Sequence, residues 1–133
     1  MAYFEDLSPD SNHPADIIRW AVMPYGHTTI TQSVTVGWLA PQHRYSKGRT
    51  PEQFRERLRA LCATPCLRHM GFFSCKMGLC KLVPGWPPGI GEIIVPSRSR
   101  VYVAPSLIYH YVSWHRYRPP QEFIDAVVEL PNH

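Results

Sequence analysis

Apolar and polar residues alternate in the run TTITQSVTVGWL at 28–39, where every second position from Val34 to Trp38 is apolar. A period of two with many β-branched side chains is typical of a half-buried strand, so the pattern predicts a strand across 33–39. An earlier apolar run, IIRWAVM at 17–23, is too short for its period to separate a helix from a strand.

The period changes to that of a helix after Thr50, and Glu and Arg side chains fill the face opposite the apolar one. Thr50 is predicted to cap this helix, with Pro51 at its first position and Gln53 completing a capping box. Pro65 is expected to end it. The apolar face comprises Phe54, Leu58, Leu61 and Cys62.

The segment at 66–91 is too rich in proline and glycine to form a helix. After it, the β-like runs EIIV at 92–95 and VYVA at 101–104 predict a hairpin. Pro105 opens a second helix, SLIYHYVSWHRY, and the prolines at 119–120 end it and start a third. These elements predict an α+β fold in which about three helices pack on a small antiparallel sheet.

The length of 133 residues suits one domain, so we expect a single domain at 1–133 with an irregular N-terminal arm at 1–16. Fourteen prolines indicate short elements and many loops. The net charge of +4, without a run of five like charges, permits contact with nucleic acid but does not require it. The acidic start MAYFED and the lack of a long apolar run predict a cytoplasmic protein with no signal peptide and no membrane contact.

All four cysteines lie close together in the spacing C-x3-C-x8-C-x4-C, at Cys62, Cys66, Cys75 and Cys80. In the cytoplasm, such clustered thiols indicate metal ligands before disulfides. Zinc favours four sulfur or nitrogen ligands, and the gaps within both cysteine pairs fall in the usual range of about two to four residues. The spacing therefore predicts a zinc site that pins the Cys-rich loop, with a structural role favoured over a catalytic one.

Which residues complete this site is left open by the sequence. Helix phase places Cys62 on the core side of the first helix, where its thiol would pack as a small apolar group instead of binding metal. Cys75 and Cys80 form the pair that we retain. Cys66 and His69 are two of the candidates for the remaining ligands.

A third candidate ligand is His115, on the predicted second helix. His110 lies five positions earlier, and a regular helix would point the two side chains about 140° apart, so the pair should not share one ion. Of the two, His115 is preferred because it shares a helix face with Ile108 and Tyr111, which points toward the sheet.

The same cysteine loop also permits an enzymatic interpretation. A cysteine nucleophile needs a base and a group that orients the base. Cys75, His115 and Glu92 can be drawn in these roles, although their separation along the chain leaves their meeting untested.

A nucleic-acid interface is a further alternative, because arginines and aromatic residues alternate near the hairpin and the second helix. Aromatic rings can stack on bases while arginines bind phosphates. The residues in question are Arg98, Arg100, Tyr102, Trp114, Arg116, Tyr117 and Arg118. Charges that keep a hairpin tip and a helix end soluble explain the same pattern.

Several segments resemble, in the same order along the chain, an uncharacterised bacterial family of small domains. They are YFEDLSP at 3–9, VGWL at 36–39, the hairpin from Gly91 to Pro105, LIYHYV at 107–112 with His115 and Tyr117, and PPQEFI at 119–124. The resemblance implies a bacterial origin and a cytosolic setting, and it implies no particular activity.

The chain departs from the family pattern at two places. Ala40 follows Gly-Trp-Leu where the family usually has an acidic residue. Phe73 stands where the family usually has a histidine two residues before a close cysteine pair, and here that pair is widened to Cys75 and Cys80. If the family binds metal through this motif, this chain has lost one ligand, and either Cys66 or His69 substitutes for it or the site has decayed.

Taken together, these features favour a non-catalytic binding or adaptor module that carries structural zinc and has another protein as its partner, within a bacterial conflict or multi-protein system. A small Cys–His or metal-dependent enzyme is the alternative, and a nucleic-acid-binding domain is the third hypothesis. The absence of an open metal position would favour the binding module. A deep cleft holding Cys75, His115 and Glu92 would favour the enzyme, and a basic face with exposed aromatic residues would favour the nucleic-acid-binding domain.

Overall fold

The computed structural model describes residues 3–11, 13–26, 32–68, 75–78, 80, 89–98 and 100–131. Within these ranges the helices are α1 (Ala15–Val22), α2 (Glu52–Ala63), α3 (Ile108–Trp114) and α4 (Gln121–Glu129). The strands are β1 (Ser33–Thr35), β2 (Leu67–Arg68), β3 (Gly91–Pro96) and β4 (Val101–Pro105), in the sheet order β1-β4-β3-β2. The predicted α+β class is confirmed.

The hairpin predicted from the two β-like runs forms the centre of the sheet. β3 and β4 pair antiparallel, from Glu92 opposite Pro105 to Pro96 opposite Val101. At the turn, the Ser97 backbone N–H donates to the Arg100 carbonyl at 2.8 Å, and the Ser97 hydroxyl donates to the same carbonyl at 2.9 Å. Serine thus closes the turn with its own side chain.

The sheet is mixed, because β1 runs parallel to β4. β1 is also shorter than the strand predicted across 33–39. The chain passes through Gly37 at a φ of 80°, where a Cβ would lie 2.6 Å from Cδ1 of Ile108. Glycine is therefore required for this left-handed backbone and for its close approach to α3.

Helices cover both faces of the hairpin, which explains why every residue of β3 and β4 is buried. Alternate strand residues point to opposite sides. Ile93, Val95, Tyr102 and Ala104 pack with apolar residues of α2, α3 and α4. Ile94, Val101 and Val103 pack with Ile18, Ala21 and Val22 of α1. The run at 17–23, undecided from its period, therefore belongs mainly to a helix.

The start of α2 differs from the predicted capping box. Pro51 is the residue before the first helical turn, and no side chain caps this end. The Thr50 hydroxyl instead accepts a hydrogen bond from Nη1 of Arg55 at 3.1 Å. The helix ends at Ala63, as expected from Pro65.

The N-terminal arm lies alongside β1. Leu7 N–H donates to the Thr35 carbonyl at 2.7 Å, and Asp10 N–H donates to the Ser33 carbonyl at 2.9 Å. The Asp6 carboxylate accepts from the Gly37 N–H at 2.9 Å and from the Tyr117 hydroxyl at 2.7 Å. The arm thereby connects β1 to the segment that follows α3.

His13 connects the same arm to β3. Its Nδ1 lies 3.0 Å from an Asp10 carboxylate oxygen, and its Nε2 lies 2.5 Å from Oε2 of Glu92. The Glu92 hydrogen bond, with the charges of both carboxylates, raises the His13 pKa to about 9 against the opposing effect of burial. His13 is therefore protonated at neutral pH and pairs with two carboxylates.

Candidate metal centre

Four side chains converge beside the C-terminal end of α3. One ligand atom from each of Cys75, Cys80, His110 and His115 can be chosen so that all four lie within 4.8 Å of one another. Within this group, Cys75 Sγ lies 3.2 Å from His115 Nε2, and the centroids of the two imidazole rings are 5.0 Å apart. Among the described residues, no other group of three or more potential metal ligands lies as close together.

These separations fit a tetrahedral ion after small movements. Zinc–sulfur bonds of about 2.3 Å and zinc–nitrogen bonds of about 2.0–2.1 Å place neighbouring ligand atoms about 3.3–3.8 Å apart. The 3.2 Å contact between Cys75 and His115 is near the value of about 3.6 Å that this geometry gives for sulfur and nitrogen. Even the 4.8 Å upper limit exceeds the tetrahedral spacing by only about 1 Å.

The two histidines meet although helix phase points them apart, and α3 is shorter than the sequence pattern predicts. A helix continuing through Tyr117 would point them apart, but the last helical residue is Trp114. His115 has a φ of −97° and a ψ of 6°, and Arg116 turns into the left-handed region at a φ of 57°. The 5.0 Å separation of the two imidazole rings therefore contradicts the prediction that they point apart.

Backbone contacts hold this turn in place. The N–H groups of His115 and Tyr117 both donate to the Tyr111 carbonyl, at 3.1 and 3.0 Å. The Tyr45 hydroxyl donates to the His115 carbonyl at 3.1 Å, and Gly48 N–H donates to the Arg116 carbonyl at 3.0 Å. The loop before α2 thus fixes the backbone that carries His115.

His110 is held from within α3. Its residue is only 1% exposed, and its ring stacks on Trp114 with an interplanar angle of 12°. Trp114 itself is 46% exposed, so it covers the outer side of the imidazole while facing solvent.

The cysteine side of the group comes from the loop before β3. Cys75 and Cys80 are both partly buried, and Met77 N–H points at Cys75 Sγ from 3.4 Å. Gly78 follows at a φ of 126°, a conformation that only glycine adopts easily. This local turn brings the second thiol back toward the first.

Burial favours the uncharged form of three of the four side chains. Burial raises the pKa of the Cys75 thiol to about 11, and the neighbouring Cys80 adds to the effect. Burial, together with the nearby His115, lowers the pKa of His110 to about 4. Burial and Lys47 also lower the pKa of His115. Neutral imidazoles are the form that binds metal, and a cation would reverse the cost of ionising the thiols.

The remaining predicted ligands lie elsewhere. Cys62 is 0% exposed in the core cluster with Phe54 and Leu58, and burial raises its pKa to about 12. Cys66 is exposed and lies near Tyr25, apart from the four-residue group. His69 and Phe73 lie outside the described residues.

His110 is the member of the four-residue group that sequence reasoning missed. The signal was present, because Cys75 and Cys80 have four residues between them, as do His110 and His115. Zinc sites commonly combine a cysteine pair with gaps of about two to four residues and a histidine pair with gaps of about three to five. Residue spacing alone therefore predicts that Cys75, Cys80, His110 and His115 form one site, and only the helix-phase argument excluded His110 from it.

The enzymatic triad is only partly assembled in the structure. Cys75 and His115 do meet, at 3.2 Å. The Glu92 carboxylate pairs instead with His13, and it is not a member of the four-residue group.

Two of the four arginines near the hairpin make local contacts. Arg100 pairs with Glu122 at 3.1 Å, and Arg118 donates to the Gln121 amide oxygen at 2.6 Å. Of the aromatic residues between them, Tyr102 is 2% exposed and Tyr117 is 0% exposed. These two rings are therefore not available for stacking on bases.

Comparison with known proteins identifies the family but not an activity. The chain belongs to the DUF7919 family, described as a domain of unknown function, whose model matches residues 2–128. This confirms the predicted membership of an uncharacterised family. No curated protein and no solved structure matches the chain. Within the described residues, no helix combines the length and apolar character needed to cross a bilayer.

Proposed function

We propose that this member of the DUF7919 family is a non-catalytic binding module whose fold is locked by one zinc ion. Cys75, Cys80, His110 and His115 are its four ligands. The observation that carries the proposal is the convergence of their ligand atoms within 4.8 Å of one another.

The donor set favours zinc in a structural role. Two thiolates and two imidazoles are the ligands that zinc accepts in closed tetrahedral sites. Such a site uses all four positions for protein atoms, so no position is left to activate water or bind a substrate. The burial of His110 and the partial burial of both cysteines support a site inside the fold.

The ion would connect two distant parts of the chain. The cysteines lie before β3 and the histidines at the end of α3, with the whole hairpin between them. Because such a site does not exist in the unfolded chain, the free energy of zinc binding adds to the free energy of folding.

Exposed apolar side chains support a role in binding another protein. Trp20 is 61% exposed, Met23 58% and Trp114 46%. Aromatic residues and methionine are enriched at protein interfaces. Our proposal places the module in the bacterial cytoplasm, within a conflict or multi-protein system. The resemblance to a bacterial family supports this setting, as do four cysteines that are all free thiols.

Metal analysis of the untagged protein tests the proposal. We expect about one zinc per chain, and less than about 0.2 per chain after gentle purification would refute it. Cys75→Ser and His110→Ala should lose the ion, whereas Cys66→Ser, a matched control outside the group, should keep it. Cobalt substitution should give the intense visible bands of a tetrahedral site, and octahedral bands would contradict the assignment.

The 3.2 Å contact between Cys75 and His115 keeps a Cys–His enzyme as the second candidate. Such an enzyme needs a reactive thiolate, but burial raises the pKa of Cys75 to about 11 in the metal-free protein. Low iodoacetamide at neutral pH separates the two functions. Selective alkylation of Cys75 in protein that contains no zinc would favour the enzyme, and protection of Cys75 by zinc would favour the structural site.

A further inference from the structure

Two neighbouring cavities share Tyr25 and Cys66 in their walls and are separate from the metal ligands. The first has a volume of about 300 Å³ and is also lined by residues of α2, β3 and the end of α4. The second has a volume of about 450 Å³ and extends along the end of α1 and the turn that follows it. We call the two neighbouring cavities together the Arg57 groove, after the charged residue that lines the first of them.

Arg57 carries the one formal charge among the described residues that line either cavity. Its Nε donates to the Val127 carbonyl at 3.0 Å, and its Nη2 donates to the Leu130 carbonyl. A guanidinium has five N–H donors, and these two bonds use two of them and fix the position of the group in the cavity wall. A cation held in this way is suited to a carboxylate or another oxyanion.

The second cavity is apolar and solvent-facing. Its walls include Trp20 and Met23, which are 61% and 58% exposed, together with Ala21 and Pro24. Exposed apolar residues grouped around a concavity mark a binding surface more often than isolated ones do. The chemistry of the groove therefore changes from cationic at one end to apolar at the other.

We propose that the Arg57 groove binds an organic anion with an apolar tail. The carboxylate or equivalent group binds Arg57, and the tail lies past Tyr25 and Cys66 against Trp20 and Met23. The cavity volumes lie within the range of about 300–1,000 Å³ that is usual for small-molecule sites, and the mixture of apolar walls with one charged group is typical of them. This site does not depend on the proposed zinc ion.

Decanoate is a suitable probe, and decyltrimethylammonium is its counterpart with the same tail and the opposite charge. Binding to the full chain would be followed by the change in tryptophan fluorescence, with Trp20→Ala identifying the contribution of Trp20 among the four tryptophans. It would also be followed by the rate at which iodoacetamide modifies Cys66, located by peptide mapping. We expect decanoate to slow the modification of Cys66 at least fivefold. Decyltrimethylammonium should bind about tenfold more weakly, because it cannot pair with Arg57.

Arg57→Gln should weaken decanoate binding about tenfold, whereas Arg59→Gln, an exposed position on the same helix outside both cavities, should leave it unchanged. Arg57 also contacts the end of α4, so Trp20→Ala serves as a second variant at an exposed position and should weaken both probes. Equal affinity for the two probes would overturn the proposal. So would unchanged decanoate binding in a folded Arg57→Gln protein, or the absence of Cys66 protection.

Discussion

The contact of His13 with Asp10 and Glu92 predicts a loss of stability at alkaline pH. A raised pKa means that the folded state holds the proton more tightly than the unfolded chain does. The contribution is therefore complete below the unfolded value of 6.5 and is lost as the pH rises through about 9. The shift corresponds to about 3 kcal/mol, and we expect about 2 kcal/mol because the His13 side chain remains 13% exposed.

Urea unfolding measured between pH 6 and pH 10 tests this prediction. The free energy of unfolding of the native chain, minus that of His13→Asn, should fall by about 2 kcal/mol between roughly pH 6.5 and 9.5. Taking this difference removes the pH dependence of stability that other titrating groups contribute. His43→Asn, at an exposed histidine that stacks on Tyr3, is the matched control for replacing a histidine with asparagine. A difference for His13→Asn that does not change with pH would refute the reasoning.

Three other outcomes are expected. Removing the metal with EDTA should lower Tm by roughly 10 °C, with recovery on adding zinc but not magnesium, as followed by circular dichroism. Zinc affinity should fall as the pH is lowered from 8 to 6, because the Cys75 thiol, whose pKa burial raises to about 11, must lose its proton to bind zinc. Calorimetry in buffers of different ionisation enthalpy should show the release of this proton. Gly37→Ala should destabilise the fold by about 2–4 kcal/mol in urea unfolding, because the new Cβ meets Ile108 at 2.6 Å. Gly26→Ala is the control at the same φ of 80°, and it should cost only about 1 kcal/mol because nothing lies within 4 Å of its Cβ. Similar losses for the two variants would contradict the packing argument.

Elements with a strong local pattern were predictable from the sequence. The β3–β4 hairpin follows from two apolar runs joined by a turn, and α2 follows from its apolar period and Pro65. Helix phase also placed Cys62 correctly in the core, where it is 0% exposed. In these cases the signal lies in neighbouring residues, so one segment is enough to read it.

Features that depend on distant contacts were not predictable in this way. The parallel pairing of β1 with β4 joins segments far apart in sequence, and no local pattern specifies it. The chain that follows α3 is held by hydrogen bonds from Tyr45 and Gly48, which lie far away in the sequence. The meeting of His110 and His115, whose ring centroids are 5.0 Å apart, is likewise not specified by the helix period.

The order of the four candidate ligands along the chain has a consequence for biosynthesis. Cys75 and Cys80 are made before the β3–β4 hairpin, and His110 and His115 are made after it. Of the four candidate ligands, a nascent chain can therefore offer an ion only the two thiolates until the hairpin folds back and α3 emerges. Formation of the hairpin shortens the flexible loop between Cys80 and His110 that a bound metal would have to close, and so lowers the entropic cost of closing it. Metal capture would then be one of the last events in the maturation of this domain, and it would select chains whose sheet is already correctly paired.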